Sequence, residues 1–239
     1  MKNFVKYILQ KLFGYQRYLR IFAKYKIRTL RNDKKEKDFF AFMDAVKGDG
    51  ILLDVGANLG VMSYHLSKRF PERKILAIEP MPDNLAVLRA MISNYSLKNV
   101  EVVPFAVGEE ETVLKMVLPL NGKVKMQGLA HVVHDSIDEW NEGDQFEVKC
   151  VRLDDLVKDA PVAGIKMDVE NFEYFALKGG GKLLRAYKPV VYLELWANEN
   201  RDLCFKFLEG LGYQPFVQID GDLVAFDPSI HTKQNFIFQ

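Results

Sequence analysis

Cysteine is scarce in this chain, which limits the kinds of site that it can build. The two cysteines, Cys150 and Cys204, lie far apart and belong to no CxxC or Cys/His pattern. The sequence therefore predicts neither a disulfide framework nor a thiolate metal site. We expect both thiols to be reduced, as in a cytoplasmic protein.

Long apolar runs are also missing. No run approaches the ~20 residues that a helix needs to cross a bilayer, and charged or polar residues interrupt the N-terminal segment every few positions. We therefore expect neither a membrane-spanning helix nor a secretory signal. Of the 239 residues, 49% are hydrophobic and 27% are charged, which suits one globular domain with a small appendage.

Positive charge is concentrated at the start of the chain. Residues 1–37 contain twelve basic and two acidic side chains, a net charge of +10 that leaves −9 for the remainder. Apolar residues recur at helical spacing over residues 2–13, and a second basic and aromatic segment follows. Such an arm either lies on an anionic membrane or packs its apolar side on the main domain. We divide the chain into a basic helical arm, residues 1–47, and a main domain, residues 48–239.

The main domain alternates between predicted strands and helices. Strands are predicted at 51–55, 74–79, 100–107, 164–170 and 189–196, and helices at 59–70, 82–95, 171–187 and 199–211. The repeat indicates right-handed strand–helix–strand units and a parallel sheet covered on both faces. Between residues 108 and 153 the helical signal gives way to a β-rich insertion with a hairpin turn at Asn121-Gly122.

Acidic residues follow most of the predicted parallel strands. Carboxylates occur at four of the five strand ends, in Asp54, Glu79, Asp168 with Glu170, and Glu194, whereas Ala106 marks the fifth. Ligands of such sheets bind at the carboxyl ends of the strands. The alternative is that the acids cap the following helices.

The glycine turn after the first strand distinguishes between cofactors. It runs from Gly56 through Asn58 to Gly60, follows Asp54, and lacks the Gly-x-Gly-x-x-Gly pattern of dinucleotide sites. An anion would meet Asp54, whereas a zwitterionic sulfonium ligand such as S-adenosylmethionine would not be repelled. Glu79, at the end of the next strand, can accept hydrogen bonds from two ribose hydroxyls.

Five motifs occur in order along the main domain. They are Asp54–Gly60, Ile78–Pro80, Phe105–Gly108, Val151–Asp154 and Ile165–Glu173. Together they resemble the FkbM family of S-adenosylmethionine-dependent methyltransferases over roughly residues 52–213. The family usually has glycine after its Asp-x-Glu, where this chain has Asn171. Because asparagine tolerates the left-handed conformation, the turn can survive while the acceptor pocket is reshaped.

The resemblance implies a fold, an activity and a set of binding residues. The fold is class I methyltransferase, Rossmann-like and α/β, with a mainly parallel seven-stranded sheet flanked by helices and an antiparallel last strand. The activity is O-methylation of a sugar, a glycan precursor or a secondary metabolite. Gly56, Asn58 and Gly60 would approach the methionine part of the cofactor, Glu79 the ribose and Ala106 the adenine. Asp54 is assigned to the same set of cofactor-binding residues.

Asp168, Glu170 and Glu173 are the candidate catalytic residues. Asp168 would orient the acceptor or the methionine ammonium, and Glu170 or Glu173 would be the general base. An acid needs a raised pKa or a partner for that task. A divalent ion held by Asp168 and Glu194 could replace the base, but we do not expect a metal.

Other candidates and two rival functions stay open at this stage. His131 and His134, followed by Asp135, could supply a base or metal ligands, although a third clear ligand is missing. The chain could instead be a nucleotide-binding oxidoreductase of the NAD type, or a catalytically silent relative that acts as a binding module. We expect a small-molecule or glycan acceptor and no nucleic-acid partner, and a peripheral contact of residues 1–37 with an anionic membrane stays open.

Overall fold

The computed structural model describes residues 2–134 and 141–239, with side chains from residue 6 onward in those ranges. The helices of these residues are α1 (Lys2–Phe13), α2 (Tyr15–Thr29), α3 (Lys37–Ala45), α4 (Val61–Arg69), α5 (Pro82–Asn94), α6 (Leu153–Val157), α7 (Glu173–Gly179), α8 (Gly181–Tyr187) and α9 (Glu199–Gly210). The strands are β1 (Ile51–Val55), β2 (Ile75–Ile78), β3 (Val100–Val103), β4 (Ala106–Val107), β5 (Thr112–Asn121), β6 (Val124–Lys125), β7 (His131–Val132), β8 (Gly143–Val151), β9 (Val162–Met167), β10 (Val190–Glu194), β11 (Pro215–Ile219), β12 (Asp222–Ala225) and β13 (Asn235–Phe238).

An eight-stranded sheet organises the fold, in the order β12-β11-β13-β10-β9-β1-β2-β3. The five strands from β10 to β3 are parallel, and β13, the last in the chain, is antiparallel to both of its neighbours. The parallel α/β sheet and the antiparallel last strand are as predicted. The sheet has one strand more than the seven implied, because a two-residue turn at Asp220-Gly221 adds β12 as an edge strand.

Helices cover both faces of the sheet, and its central strands are almost wholly buried. All six residues of β9 are buried, which is typical of a strand enclosed on both sides. The buried side of α2 (Leu19, Ala23 and Ile27) packs in one cluster with Val87 and Met91 of α5. No helix in the described part of the chain is both long and apolar enough to cross a membrane.

The predicted strand over residues 100–107 is wrong as a single element. It forms β3, at the edge of the main sheet, and β4, which pairs with β8 in a second sheet. Pro104 lies between them and has no backbone N–H to donate to a ladder. The break therefore lets the chain leave one sheet and enter the other.

The predicted β-rich insertion forms that second sheet, in the order β4-β8-β5-β6 with β7 paired to β5. The hairpin at Asn121-Gly122 is confirmed by the pairing of β5 with β6. Met116, Leu118 and Val148 of this sheet pack in one cluster with Phe172, which follows β9. The insertion is thereby fixed over the carboxyl edge of the main sheet.

Candidate active site

A cleft of about 580 Å³ opens at the carboxyl ends of β1, β2 and β9. Its walls come from both sheets, and they include the candidates Gly56, Asn58, Glu79, Ala106, Asp168 and Glu170. Met116, Ala130 and Val132 of the insertion form the apolar side. The site sits where open parallel sheets bind their ligands.

The turn after β1 is shaped by contacts with the neighbouring strands. The amides of Gly56 and Ala57 donate to the Ile78 carbonyl at 3.0 and 2.9 Å, and the Asn58 amide donates to Glu79 Oε2 at 2.8 Å. A Cβ atom on Gly56, at φ +74°, would lie 1.8 Å from the Asp168 carbonyl oxygen. These three amides are therefore committed within the protein and are not free to bind a pyrophosphate.

Lys166 holds this turn in place from its buried side. Its Nζ donates to the Gly56 carbonyl at 2.9 Å and lies 3.4 Å from Asp54 Oδ1 and 3.9 Å from Asp168 Oδ2. Burial lowers the pKa of Lys166, but the two carboxylates outweigh that effect and raise it, so the ammonium stays charged. Asp54 also accepts a 2.5 Å bond from Ser63. Asp54 is thus buried beneath the turn, and it lines neither the cleft nor the cavity beside it.

Glu79 is a buried carboxylate that both organises the turn and faces the cleft. Besides the Asn58 amide, it accepts bonds from the Met81 amide at 2.8 Å and from Asn84 Nδ2 at 3.2 Å, both at Oε1. Burial raises the pKa of Glu79 to about 7, against the lowering effect of those bonds. Oε2 has one protein donor and keeps acceptor capacity for a ligand hydroxyl.

The turn after β9 places two non-glycine residues in the left-handed region, Glu170 at φ 51° and Asn171 at φ 74°. Glu173 stabilises it by accepting bonds at Oε1 from the amides of Val169 (2.9 Å) and Asn171 (3.3 Å), while Asn200 donates to Oε2 at 2.8 Å. Asn171 therefore adopts the conformation that the family's glycine would favour. Glu173 is buried behind the turn and does not line the cleft.

Burial, and after it mutual repulsion, raises the pKa of the carboxylates around this turn. Burial, and after it the nearby charge of Asp168, raises the pKa of Glu170 to about 9 and that of Glu194 to about 7. Burial raises the pKa of Glu173 to about 7. Lys166 is the buried cation set against these acids. A ligand that brings positive charge into the cleft would lower these pKa values, so a cationic ligand is favoured there over an anionic one.

One further cavity adjoins the cleft, and a groove lies beyond that cavity. The cavity, of about 550 Å³, shares Gly56, Asn58 and Asp168 with the cleft and is closed by Lys26 and Glu36 of the N-terminal residues. The groove is larger, at about 1580 Å³, and lies at the end of β10. It is lined by Glu36, Asp38 and Glu194 together with Lys34, Lys35, Arg201 and Lys233. Because Glu36 lines both, the arm contributes walls to the candidate site.

The other candidates, His131 and His134, do not line the cleft. His131 is buried in β7, where its ring nitrogens contact the Leu129 carbonyl at 2.8 Å and Asn141 Oδ1 at 3.2 Å. His134 packs against the rings of Phe172 and Phe175, and Asp135 lies outside the described residues. Within residues 2–134 and 141–239, no group of three or more His, Cys, Asp or Glu could hold a metal ion.

Three residues with roles in this site were missed from the sequence. Lys166 holds the glycine turn, Asn84 holds Glu79, and Asn200 holds Glu173. A lysine in the middle of an otherwise apolar strand was a readable signal, because buried lysines need partners. The asparagines carried no such signal, since their contacts depend on how the helices pack.

The mainly parallel sheet with its antiparallel last strand, and the cleft at its carboxyl edge, define a Rossmann-like fold of the class I methyltransferase type. The chain belongs to the FkbM methyltransferase family, because the family's Methyltransferase FkbM domain matches residues 54–215. The crystal structure of methyltransferase FkbM from Methylobacillus flagellatus KT is similar, with a TM-score of 0.55 and 18% identity. That likeness covers 82% of this chain and 45% of that one, and it speaks for the fold alone.

Two fungal relatives are similar in sequence. Methyltransferase 1 of Beauveria bassiana (strain ARSEF 2860) is 23% identical over 146 residues, covering 55% of this chain and 58% of the relative. Methyltransferase sdnD of Sordaria araneosa is 25% identical over 153 residues, covering 54% of this chain and 59% of the relative. The chain thus spans less than two thirds of the length of these relatives.

Proposed function

We propose that this protein is an S-adenosylmethionine-dependent O-methyltransferase that acts on a hydroxyl of a sugar, a glycan precursor or a secondary metabolite. The observation that carries the proposal is the acidic cleft. Glu79, Asp168 and Glu170 line it, and Lys166 is the buried cation that opposes them. A sulfonium cofactor with an ammonium group meets that charge, whereas an anionic cofactor would be repelled.

The cofactor fits the residues that are present. Gly56 and Asn58 would border its methionine part, Glu79 would accept from the ribose hydroxyls, and Ala106 would border the adenine. Gly60 is buried and lines neither the cleft nor the cavity beside it, so it shapes the turn and does not meet the cofactor. When bound, S-adenosylmethionine supplies a methyl group on a sulfonium sulfur, which is an excellent leaving group. The apolar wall of Met116 and Val132 excludes water on the adenine side.

Glu170 is the carboxylate best placed to act as the general base. It faces the cleft, and its pKa of about 9 makes it a stronger base than an ordinary carboxylate once it is ionised. A cationic ligand beside it would favour that ionised form. Glu170 would accept the proton that the acceptor hydroxyl loses. Asp168 would orient the acceptor or the methionine ammonium.

The groove at the end of β10 is our candidate for the acceptor entrance. Its lining is polar and mixed in charge, from Glu194 and Asp38 to Arg201 and Lys233. Such a lining suits a hydroxyl-rich acceptor better than an apolar one. A cytoplasmic setting is part of the proposal, and it is supported by the two buried free cysteines.

Calorimetry with purified protein tests the cofactor. We expect S-adenosylhomocysteine to bind and NAD to give no heat. The amides of Gly56 and Ala57 already donate to the Ile78 carbonyl, so they are not free to bind a pyrophosphate. Binding of NAD without S-adenosylhomocysteine would support the oxidoreductase alternative and overturn the proposal. If neither ligand binds, the alternative of a catalytically silent binding module is favoured.

Mass spectrometry tests the reaction and its acceptor. Cell extract incubated with the protein and isotopically labelled S-adenosylmethionine should yield a labelled methyl ether. Asp168→Ala should slow its formation, whereas Asp202→Ala, an exposed residue of α9, should not. Equal rates for both variants would show that Asp168 has no part in the reaction.

A further inference from the structure

The N-terminal helices leave one strongly amphiphilic surface exposed, which we call the outer face. Its cations are exposed, and no ion pair joins them to any described residue. They are Lys11, Arg17, Arg20, Lys24 and Arg28. The first acidic residue of the chain is Asp33, so no carboxylate of residues 1–32 offsets them.

Large apolar side chains lie among these cations. Leu12 is 72% exposed, Tyr25 61%, Ile21 49% and Phe13 42%. Arg17, Ile21 and Tyr25 are spaced by four residues on α2, so they share one stripe of the helix. The buried side of α2, with Leu19, Ala23 and Ile27, points the opposite way into the domain. The exposure is therefore not an unpacked core face.

We propose that the outer face docks the protein on an anionic lipid surface. Interleaved cations and apolar side chains suit the boundary between headgroups and acyl chains, where the apolar groups insert and the cations are attracted to the anionic headgroups. The rest of the chain carries −9 against +10 for residues 1–37. An anionic surface thus attracts the arm and repels the body, which orients the molecule.

Charge and hydrophobicity argue against the other occupants. A nucleic acid would satisfy the cations but would leave Leu12 and Ile21 exposed. A second copy meeting face to face would place five cations against five like charges. A lipid surface satisfies both kinds of side chain.

Docking would also bring the candidate site near the bilayer. Phe22 and Lys26, on the inner side of α2, line the cavity beside the cleft. One helix diameter of about 10–12 Å separates the two faces. The proposal itself does not depend on the proposed function, because vesicle binding is measured without any reaction.

Vesicle co-sedimentation of the full chain tests the proposal. We expect binding to vesicles of phosphatidylcholine with phosphatidylglycerol, weak binding to phosphatidylcholine alone, and a loss of binding at high salt. The double variant Leu12→Ser with Ile21→Ser and the triple variant Arg17→Gln with Arg20→Gln and Lys24→Gln should each bind at least about tenfold more weakly.

Two matched controls separate the outer face from general surface properties. Ile230 is as exposed as Leu12, at 72%, so Ile230→Ser removes a similar apolar group elsewhere. Lys98→Gln, Lys182→Gln and Lys206→Gln together remove three exposed charges away from the outer face. Both controls should bind vesicles like the wild type. All variants should keep the wild-type thermal unfolding temperature.

The results divide cleanly. Equal wild-type binding to neutral and anionic vesicles, or an equal loss in the control variants, would overturn the proposal. So would binding to RNA but not to vesicles, or a dimer in sedimentation that the double variant abolishes while vesicle binding stays absent. Selective loss in the outer-face variants supports it.

Discussion

The turns after β1 and β9 lie against each other, yet they are built in opposite ways. Both enter the left-handed region, at Gly56 (φ 74°), Asn58 (φ 49°) and Gly60 (φ 81°) in the first turn and at Glu170 (φ 51°) and Asn171 (φ 74°) in the second. The first mainly uses glycine there, at no steric cost. The second uses a glutamate and an asparagine, which adopt that conformation less readily than glycine does.

The two turns also differ in what their polar groups do. In the first, Asp54 and three amides are committed to neighbours within the protein. In the second, Glu173 is committed, while Asp168 and Glu170 face the cleft. The first turn is thus a rigid support, whereas the second holds backbone strain and carboxylates with raised pKa values, as functional sites do.

Gly56→Ala should give the largest effect, because it disrupts the packing of the first turn against the second. The added Cβ would lie 1.8 Å from the Asp168 carbonyl oxygen, so the two turns would be forced apart. We expect a loss of about 3 kcal/mol or more in the free energy of unfolding, measured in urea, and no measurable S-adenosylhomocysteine binding. Gly122→Ala is the control, with φ +62° and nothing within 4 Å. Equal losses in the two variants would contradict the close contact.

Glu170→Gln should lower the turnover of the acceptor by about 100-fold, because a general base typically contributes that much or more. The wild-type rate should rise with pH, since the pKa of Glu170 is about 9 in the free protein and a cationic ligand lowers it. The variant should lose this rise. Glu199→Gln, exposed at the start of α9, is the control. A rising pH profile that survives in Glu170→Gln would assign the base elsewhere.

The sequence predicted the first turn better than the second for a physical reason. β1 is a short apolar run that ends in glycines, and its bounds, Ile51–Val55, are those predicted. Asp54 and Lys166, however, are partners only through the register of β1 with β9. Likewise, the sequence offered Glu170 and Glu173 as equivalent bases. Only the folded turn separates them, because it directs one into the cleft and the other onto backbone amides.

Glu79→Gln tests whether Glu79, which stabilises the first turn, also binds the cofactor. Glu79 accepts hydrogen bonds from the Asn58 and Met81 amides and from Asn84, and an amide would turn a donor toward one of them. We expect the Kd for S-adenosylhomocysteine to rise about 10- to 100-fold, since bonds to charged groups contribute about 1.5–3 kcal/mol. Glu101→Gln, on the exposed edge strand, should leave the Kd unchanged. An unchanged Kd in both would remove Glu79 from the cofactor site.

The raised pKa values of the carboxyl groups around the second turn predict a pH dependence of stability. The pKa of Glu170 is about 9 and those of Glu173 and Glu194 about 7, all above the ordinary value of about 4.3. The folded chain therefore binds more protons than the unfolded chain across that window, so the free energy of unfolding should fall as pH rises.

Glu170→Gln should flatten this fall. At pH 9 the variant should be more stable than the wild type by at least about 1 kcal/mol, and the two should converge near pH 4. Urea unfolding at several pH values measures the difference. Parallel curves for the two proteins would mean that Glu170 is not responsible.

Asn171→Gly should give the smallest effect, because its two consequences oppose each other. Glycine relieves the left-handed strain at φ 74°, but it removes the 2.7 Å bond that Asn198 donates to the Asn171 side chain. Each is worth roughly 1 kcal/mol, so the free energy of unfolding should change by less than about 0.5 kcal/mol. Asn171→Ala keeps the strain and loses the bond, so it should lose about 1–2 kcal/mol. If glycine costs as much as alanine, the hydrogen bond to Asn198, and not the backbone conformation, is what Asn171 provides in this chain.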